Sequence, residues 1–481
     1  MTFEPFISVS MVSAKRSSST CFLSTLTIPV WLFSSNLMNH GFALAEPRYP
    51  RAERLASQTA FFISSFLKGL SPITWNAMYL FLSLSVGGRY FGFSLIPTPS
   101  RICPPTFLSP PPTWACEVRW LVWETPYFSY AVRELPKGCQ LCVRGEKLVL
   151  FTTGVCPRDC FYCPLSPWRR GDVVYANERP VKNVDDVIEE ARIQEAKGAG
   201  ITGGDPLARL ERTVEYIRTL KENFGKDFHI HLYTTGALAT EKALSKLYDA
   251  GLDEIRFHPD LFNPNSKLFK VEIENIRKAF DFDWDVGGEI PSIPGQLDRM
   301  KWYAEFLDKH GAKFLNVNEL EFSEMTLKTL LDMGFQPVSD ESSAIKGSLE
   351  LGLEFLEWGE ENTSLSYHLC TAKLKDAVQL KNRLRRMARN VARPYMEVTE
   401  EGTLRFGIAE YDDLDELYEF LVEEAEVPSE WLHINREKGR IEMPEEVAVE
   451  LADAVEGDVK FFIVEEYPTW DRLEVERIPL P

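Results

Sequence analysis

The sequence predicts an α/β protein, a partial (βα)6 barrel of the TIM type followed by a small α+β domain. Three observations predict it. Between Lys147 and Met333, apolar runs alternate six times with amphipathic helical stretches, the pattern of parallel βα units. Right-handed crossovers curl such units toward a barrel, and six of them leave it open. Polar or glycine-rich clusters follow the apolar runs, at the strand ends where barrels of this class carry chemistry.

Length and charge bound the rest. A chain of 481 residues has room for two or three domains, and its 44% hydrophobic content is that of a globular protein. The formal net charge of −19 speaks against a general nucleic-acid binder, while leaving room for local basic patches. Nine cysteines, an odd number with tight clusters, indicate metal chemistry in a reducing, cytoplasmic compartment and not a disulfide framework.

Residues 1–115 are foreign in composition to the rest of the chain. They contain no Asp and are rich in Ser, Phe, Leu and Pro. A secretory signal fits poorly, because polar Ser34–His40 separates the apolar run Cys21–Phe33 from Ala43-Leu44-Ala45. Gly69–Gly88 is uncharged, but Pro72, Asn76 and Gly87-Gly88 make it a weak membrane span, so no membrane association is expected. The segment reads as a poorly structured or non-native extension, as an overextended reading frame would give.

Residues 116–146 are a lead-in that carries the pair Cys139-x2-Cys142. The barrel is assigned to residues 147–335. Its strands are expected at Lys147–Val155, Gly200–Thr202, His229–Thr234, Glu254–His258, Trp284–Val286 and Phe314–Val317. Helices are expected at Asn183–Lys197, Leu207–Asn223, Thr240–Asp249, Ser266–Phe280, Gln296–Lys309 and Glu324–Met333. Asn183 and Thr240 suit N-caps, and Gly251 suits a helix end. Residues 336–393 read as a helical extension, with an apolar run at Leu365–Leu369 and a basic helix from Ala372 to Asn390. Residues 394–481 read as the α+β domain, with a hairpin turn at Glu401-Gly402.

The densest chemistry lies after the first strand, where Cys156, Cys160 and Cys163 are spaced C-x3-C-x2-C. Such a loop can present three thiolates to one face of an iron–sulfur cluster. A zinc knuckle is the alternative, but structural zinc takes four ligands and no fourth lies nearby. Gly203-Gly204-Asp205-Pro206 comes after the second strand; its glycines permit close backbone approach to a ligand, or simply a tight turn into a helix. Thr234 and Thr235 end the third strand, and His258 ends the fourth as a candidate for proton transfer. Gly287-Gly288-Glu289 ends the fifth, and Asn316 and Asn318 share one face of the sixth.

With Tyr162 in the aromatic slot, the cysteine loop is C-x3-C-x-aromatic-C, and it resembles the radical S-adenosylmethionine (radical SAM) superfamily over residues 147–335. Within it, the chain looks most like archaeal proteins grouped with pyruvate formate-lyase activating enzymes. The resemblance implies a [4Fe-4S] cluster on the three cysteines, with SAM on its fourth iron. Reductive cleavage of SAM would then give a 5′-deoxyadenosyl radical that takes hydrogen from a protein, peptide or small molecule. It also implies an electron donor such as ferredoxin or flavodoxin. Gly203, Gly204 and Asp205 match the superfamily's GGE-type segment that binds SAM. Gly288 and Glu289 match a segment near its ribose and adenine, with Thr234, Asn316 and Asn318 as further candidates.

Two other features point elsewhere. Cys139, Cys142, His368 and Cys370 together supply four ligands, enough for zinc or an auxiliary cluster. The basic helix could face RNA phosphates, or be a solvated face balancing an acidic protein. An RNA-modifying enzyme and a non-enzymatic iron–sulfur or metal carrier are therefore the rival readings.

Overall fold

A computed structural model describes residues 122–481 apart from Glu456, and four strands before them. Those strands, β1 (Phe6–Ser17), β2 (Thr20–Val30), β3 (Met78–Val86) and β4 (Arg89–Ser94), form an antiparallel sheet of order β2-β1-β3-β4. The remaining residues of 1–121 lie outside the described residues, and with them most of the proposed extension. Met1–Trp114 and Ala115–Pro481 are separate units.

The second unit opens with β5 (Trp123–Glu124), β6 (Tyr130–Val132) and the short helix α1 (Lys137–Val143). Then comes β7 (Lys147–Phe151), followed by the cysteine loop and the small strands β8 (Tyr175–Ala176) and β9 (Arg179–Pro180). Helix α2 (Val184–Ile193) starts in a capping box between Asn183 and Asp186. The series continues through β10 (Gly198–Thr202), α3 (Leu210–Phe224), β11 (His229–Thr234) and α4 (Glu241–Asp249), the last capped by Thr240. Next are β12 (Glu254–Phe257), α5 (Lys267–Ala279), β13 (Asp285–Ser292), α6 (Leu297–Lys309) and β14 (Phe314–Glu319).

The six strands β7, β10, β11, β12, β13 and β14 pair in parallel in that order. The series does not stop there. After α7 (Leu327–Asp332) and α8 (Ser348–Asn362), β15 (Ser366–Cys370) pairs in parallel with β14. The apolar run assigned to a helical extension is thus a seventh parallel strand, with Tyr367 and Leu369 fully buried against the helix layer. On its far side β6 pairs antiparallel, so the lead-in belongs to the same eleven-stranded open sheet. One large apolar core lies between sheet and helices, including Leu148, Ile201, Leu232, Ile255, Ile290 and Val317. These residues alternate with inward ones along each strand, which is why the inner face is free to be polar.

A nearly continuous helix comes next, α9 (Ala372–Leu374), a π-helical turn (Lys375–Leu380) and α10 (Lys381–Val391). The C-terminal part holds β16 (Glu397–Val398), β17 (Leu404–Glu410), α11 (Leu414–Glu423), β18 (His433–Asn435), β19 (Arg440–Met443), α12 (Glu445–Ala454), β20 (Lys460–Glu466) and β21 (Glu474–Pro479). Its sheet runs β18-β19-β17-β20-β21 with β16 beside β17, and buries Leu417, Leu421 and Ala448. No described helix is long and apolar enough to cross a membrane.

Candidate active site at the cysteine loop

The cysteine loop is held at its root by the glycines of the next strand end. Gly204 N–H donates to the Thr153 carbonyl at 2.7 Å, and Asp205 N–H to the Val155 carbonyl at 2.9 Å. A Cβ at Gly203 would stand 2.2 Å from the Thr153 oxygen, and one at Gly204 would stand 2.5 Å from the Gly154 oxygen. Both positions therefore need glycine so that one loop can seat on the other.

Asp205 locks this junction to a third strand. Its carboxylate is fully buried and accepts from Leu207 N–H at 3.0 Å, the Thr234 hydroxyl at 3.0 Å, Thr235 N–H at 3.1 Å and the Thr235 hydroxyl at 2.7 Å. Burial raises the Asp205 pKa, and the Thr235 donor leads the hydrogen bonds that oppose this rise. The side chains of Asp205 and Thr234, expected to contact SAM, are thus spent on each other. Two strand ends had to be tied together, and a buried carboxylate has to be saturated.

Cys156, Cys160 and Cys163 are free thiols, each partly accessible. Among the described residues no three Cys, His, Asp or Glu side chains converge as ligands of a single ion would. Three cysteine thiols on one short loop are a donor set that an iron–sulfur cluster takes, with each thiolate on a different iron.

The middle of the loop is anchored from below. His258 Nδ1 lies 2.7 Å from the Glu289 carbonyl oxygen, which can only accept, so Nδ1 carries the proton. Nε2 is then an acceptor, and the Tyr162 hydroxyl donates to it at 2.8 Å. Burial, with the Arg158 charge behind it, pushes His258 down to about 4, so the ring is neutral. Arg158 donates to the His258 carbonyl at 2.5 Å and pairs with Asp260 at 3.3 Å. His258, the candidate for proton transfer, has both ring nitrogens hydrogen-bonded, one of them to the Tyr162 hydroxyl.

Further inside the sheet, Glu289 is a hub. It accepts from Arg256 at 2.8 Å, Asn316 at 3.2 Å and Asn318 at 3.0 Å. Arg256 also bonds Glu254 at 2.5 Å, and both side chains are almost wholly buried. Despite burial, the Arg256 charge and the two amides hold the Glu289 carboxyl below the usual range. Glu289 is mid-strand, because β13 runs on to Ser292 instead of ending at Val286. Gly287 makes room for the Phe314 ring, which a Cβ would meet at 2.3 Å. Gly288 faces the opposite layer, where a Cβ would meet Leu315, Leu307 and Tyr303 within 2.8 Å. Close packing against that layer requires glycine at 288.

The four candidates for a second metal site share one neighbourhood, with Cys139 and Cys142 both close enough to act on the Cys370 thiol and Asn316 linking Cys139 to the strand register of His368. Cys139 is buried on α1, where its sulfur accepts from Asn316 at 3.2 Å and lies 3.6 Å from Arg256. His368 bonds the Ser129 hydroxyl at 3.1 Å, and Gln379 lies 3.7 Å from the Cys370 sulfur. No group of three described ligands converges there, Cys142 included. Helix α1 packs tightly here: a Cβ at Gly138 would strike Arg256 and His231.

The basic helix is also occupied internally. Arg383 pairs with Glu178 at 2.6 Å, Lys381 with Glu401 at 2.6 Å, and Lys375 with Glu321. Arg386 donates to the Gln194 and Glu195 carbonyls, and Asn390 to that of Ile193. These cations tie the helix to α2 and its neighbours. A cavity of about 330 Å³ opens nearby, between α2, α10 and the C-terminal part, but no cysteine lines it.

Several functional neighbours escaped the sequence reading: Arg158, Tyr162 as a hydrogen-bond donor, Arg256 and the pairing of Asp172 with Arg209 and Arg212 at 2.7 Å each. The signal for one group was present. His229-x-His231-x-Tyr233 and Glu254-x-Arg256-x-His258 are polar residues at period two, which is an inner face that is not apolar.

Two regions of the chain match known families. Residues 150–307 match the radical SAM superfamily, and residues 402–480 match a domain of unknown function designated DUF8061. The chain is 42% identical, over 72% of its length and 93% of the relative's, to the "Putative glycyl-radical enzyme activating enzyme MJ0021" of Methanocaldococcus jannaschii. It is 33% identical to a biotin synthase of Chromobacterium violaceum, over 23% of this chain and 33% of that protein. Among solved structures, Streptococcus suis SuiB bound to S-adenosylmethionine aligns over 53% of this chain and 54% of its own, at 13% identity and a TM-score of 0.36. The chain belongs to the radical SAM superfamily of enzymes.

Proposed function

We propose that this chain holds a [4Fe-4S] cluster on Cys156, Cys160 and Cys163 and cleaves SAM to start radical chemistry on a protein substrate. When bound, such a cluster with SAM supplies one electron to the sulfonium, releasing methionine and a 5′-deoxyadenosyl radical that abstracts hydrogen. The chain's own residues supply position. Gly203 and Gly204 seat the thiolate loop against the second parallel strand, and Asp205 fixes that seat to Thr234 and Thr235. Tyr162 and His258 hold the loop's middle to the backbone of Glu289. Glu289, Asn316 and Asn318 offer polar groups on the inner face for the ribose, and the fixed Arg256 keeps the carboxylate ionised.

The observation that carries this reading is the docking of a three-thiol loop onto Gly203-Gly204-Asp205. The protein substrate rests on the relative MJ0021, whose name denotes action on a glycyl-radical enzyme. Electron paramagnetic resonance tests the cofactor half. Anaerobically reconstituted and reduced protein should give a [4Fe-4S]⁺ signal that changes when SAM is added. A signal indifferent to SAM would defeat the proposal.

A further inference from the structure

The cavity of about 330 Å³ between α2, α10 and the C-terminal part plays no role in the chemistry proposed at the cysteine loop. Its volume lies at the lower end of the range for small-molecule sites. Much of its lining is apolar, including Ile193 of α2, Val391 of α10, Met396 and Leu404. Trp470 also lines it and is 55% exposed. The turn that carries Trp470 is fixed. Tyr467 N–H donates to the Leu473 carbonyl at 2.9 Å, Arg472 N–H to the Thr469 carbonyl at 3.0 Å, and Lys438 Nζ to the Arg472 carbonyl at 2.6 Å. An indole held in place beside apolar side chains is a preorganised seat for a flat ring.

The charged part of the lining suits one negative charge. Arg179 is already paired with Asp186 at 3.0 Å and with Glu189 at 2.7 Å. Arg472 pairs with Glu442 at 3.0 Å and Glu466 at 2.8 Å, yet its Nη2 is buried without a hydrogen-bond partner. Arg393 is exposed, and its guanidinium has no ion-pair or hydrogen-bond partner among the described residues. It is therefore the one cation of this lining that lacks a carboxylate. Glu189 and Glu190 line the same cavity and oppose a second negative charge. The hydroxyl of the lining, that of Thr469, donates to Asp471 at 2.7 Å, which leaves little for a sugar.

We propose that this cavity binds a small aromatic monocarboxylate. The ring packs on Trp470 and the apolar lining. The carboxylate accepts from the unpaired Arg393 and from Arg472 Nη2, a buried donor that needs an acceptor. A nucleotide fits less well, because its phosphate carries close to two charges at neutral pH and its ribose needs polar partners. Leu404, Trp470 and Arg472 fall within residues 402–480, the stretch that matches a domain of unknown function, so the site gives that stretch a role. The ligand bridges it to α2 of the barrel.

Isothermal titration calorimetry on the full chain tests this, with indole-3-acetate and phenylacetate as probes and neutral indole and AMP as controls. At least one carboxylate should bind saturably, and more tightly than either control. Trp470→Ala and Arg393→Ala should each weaken it roughly tenfold, with Arg393→Lys in between. Both side chains are exposed, so thermal unfolding of the unliganded variants should match that of the unaltered chain. Cys156→Ala should bind as the unaltered chain does, since no cysteine lines the cavity. No saturable binding of either carboxylate would overturn the inference. So would equal affinity for indole, tighter binding of AMP, unchanged affinity in both the Trp470 and Arg393 variants, or loss of binding in Cys156→Ala.

Discussion

The Tyr162 hydroxyl and His258 Nε2 are joined by a 2.8 Å hydrogen bond that ties the centre of the cysteine loop to the end of the fourth parallel strand. Tyr162→Phe keeps the ring but leaves a buried nitrogen without its donor. Thermal unfolding of the iron-free chain should show a loss of about 1–3 kcal/mol. His258→Ala should cost more, because it also opens a cavity. Stabilities equal to that of the unaltered chain would show that the loop is not anchored here.

Gly203 and Gly204 bear on loop seating and not on global packing. Gly203→Ala or Gly204→Ala places a methyl within 2.5 Å of a loop carbonyl. The expected outcome is a folded protein by circular dichroism that retains less iron after anaerobic reconstitution. Full iron retention in both variants would contradict the role given to these glycines.

Asp205 should be among the most sensitive polar positions. Asp205→Ala strands buried donors on Thr234, Thr235 and Leu207, at an expected cost of about 3 kcal/mol. Thr235→Ala should cost about 1–2 kcal/mol. Because the two share their bonds, the double variant should lose less than the sum of the single ones. Urea unfolding of the four proteins measures the coupling, and additive losses would contradict it.

Buried neutral histidines contribute to acid sensitivity, and His231 is held down by burial like His258 and His368. Burial pushes His258 and His368 each down to about 4. Between the ordinary value near 6.5 and about 4, the unfolded chain binds a proton that the folded chain refuses. Stability should therefore fall as pH drops through that window, by up to about 3 kcal/mol per residue. His368→Gln should flatten the slope. Urea midpoints recorded from pH 7 to pH 4 check this, and a pH-independent midpoint would contradict it.

Alternation and loop spacing made the βα order and the cysteine loop readable, because both are local in sequence. The seventh strand was missed because Leu365–Leu369 comes after a long segment, 320–347, that lacks a clean βα rhythm. Gly288 and Gly203 look alike in sequence, yet one fits a helix layer and the other a ligand loop. Which side a strand-end glycine faces depends on the neighbouring strand's side chains, here Phe314 and Leu315 for the Gly287-Gly288 pair. Asp205 looked like a ligand group because its partners, Thr234 and Thr235, lie 29 and 30 residues on and meet it only in the folded sheet. Cys139, Cys142, His368 and Cys370 satisfied a ligand count, but no spacing rule says whether two distant pairs converge.

The most direct measurement is product formation. Protein reconstituted anaerobically with iron and sulfide, then given SAM and dithionite, should release 5′-deoxyadenosine, and Cys156→Ala, Cys160→Ala and Cys163→Ala should each abolish it. An intact [4Fe-4S] spectrum with no 5′-deoxyadenosine, or undiminished product from any of the three variants, would contradict the assignment of this loop as the site where radical chemistry begins.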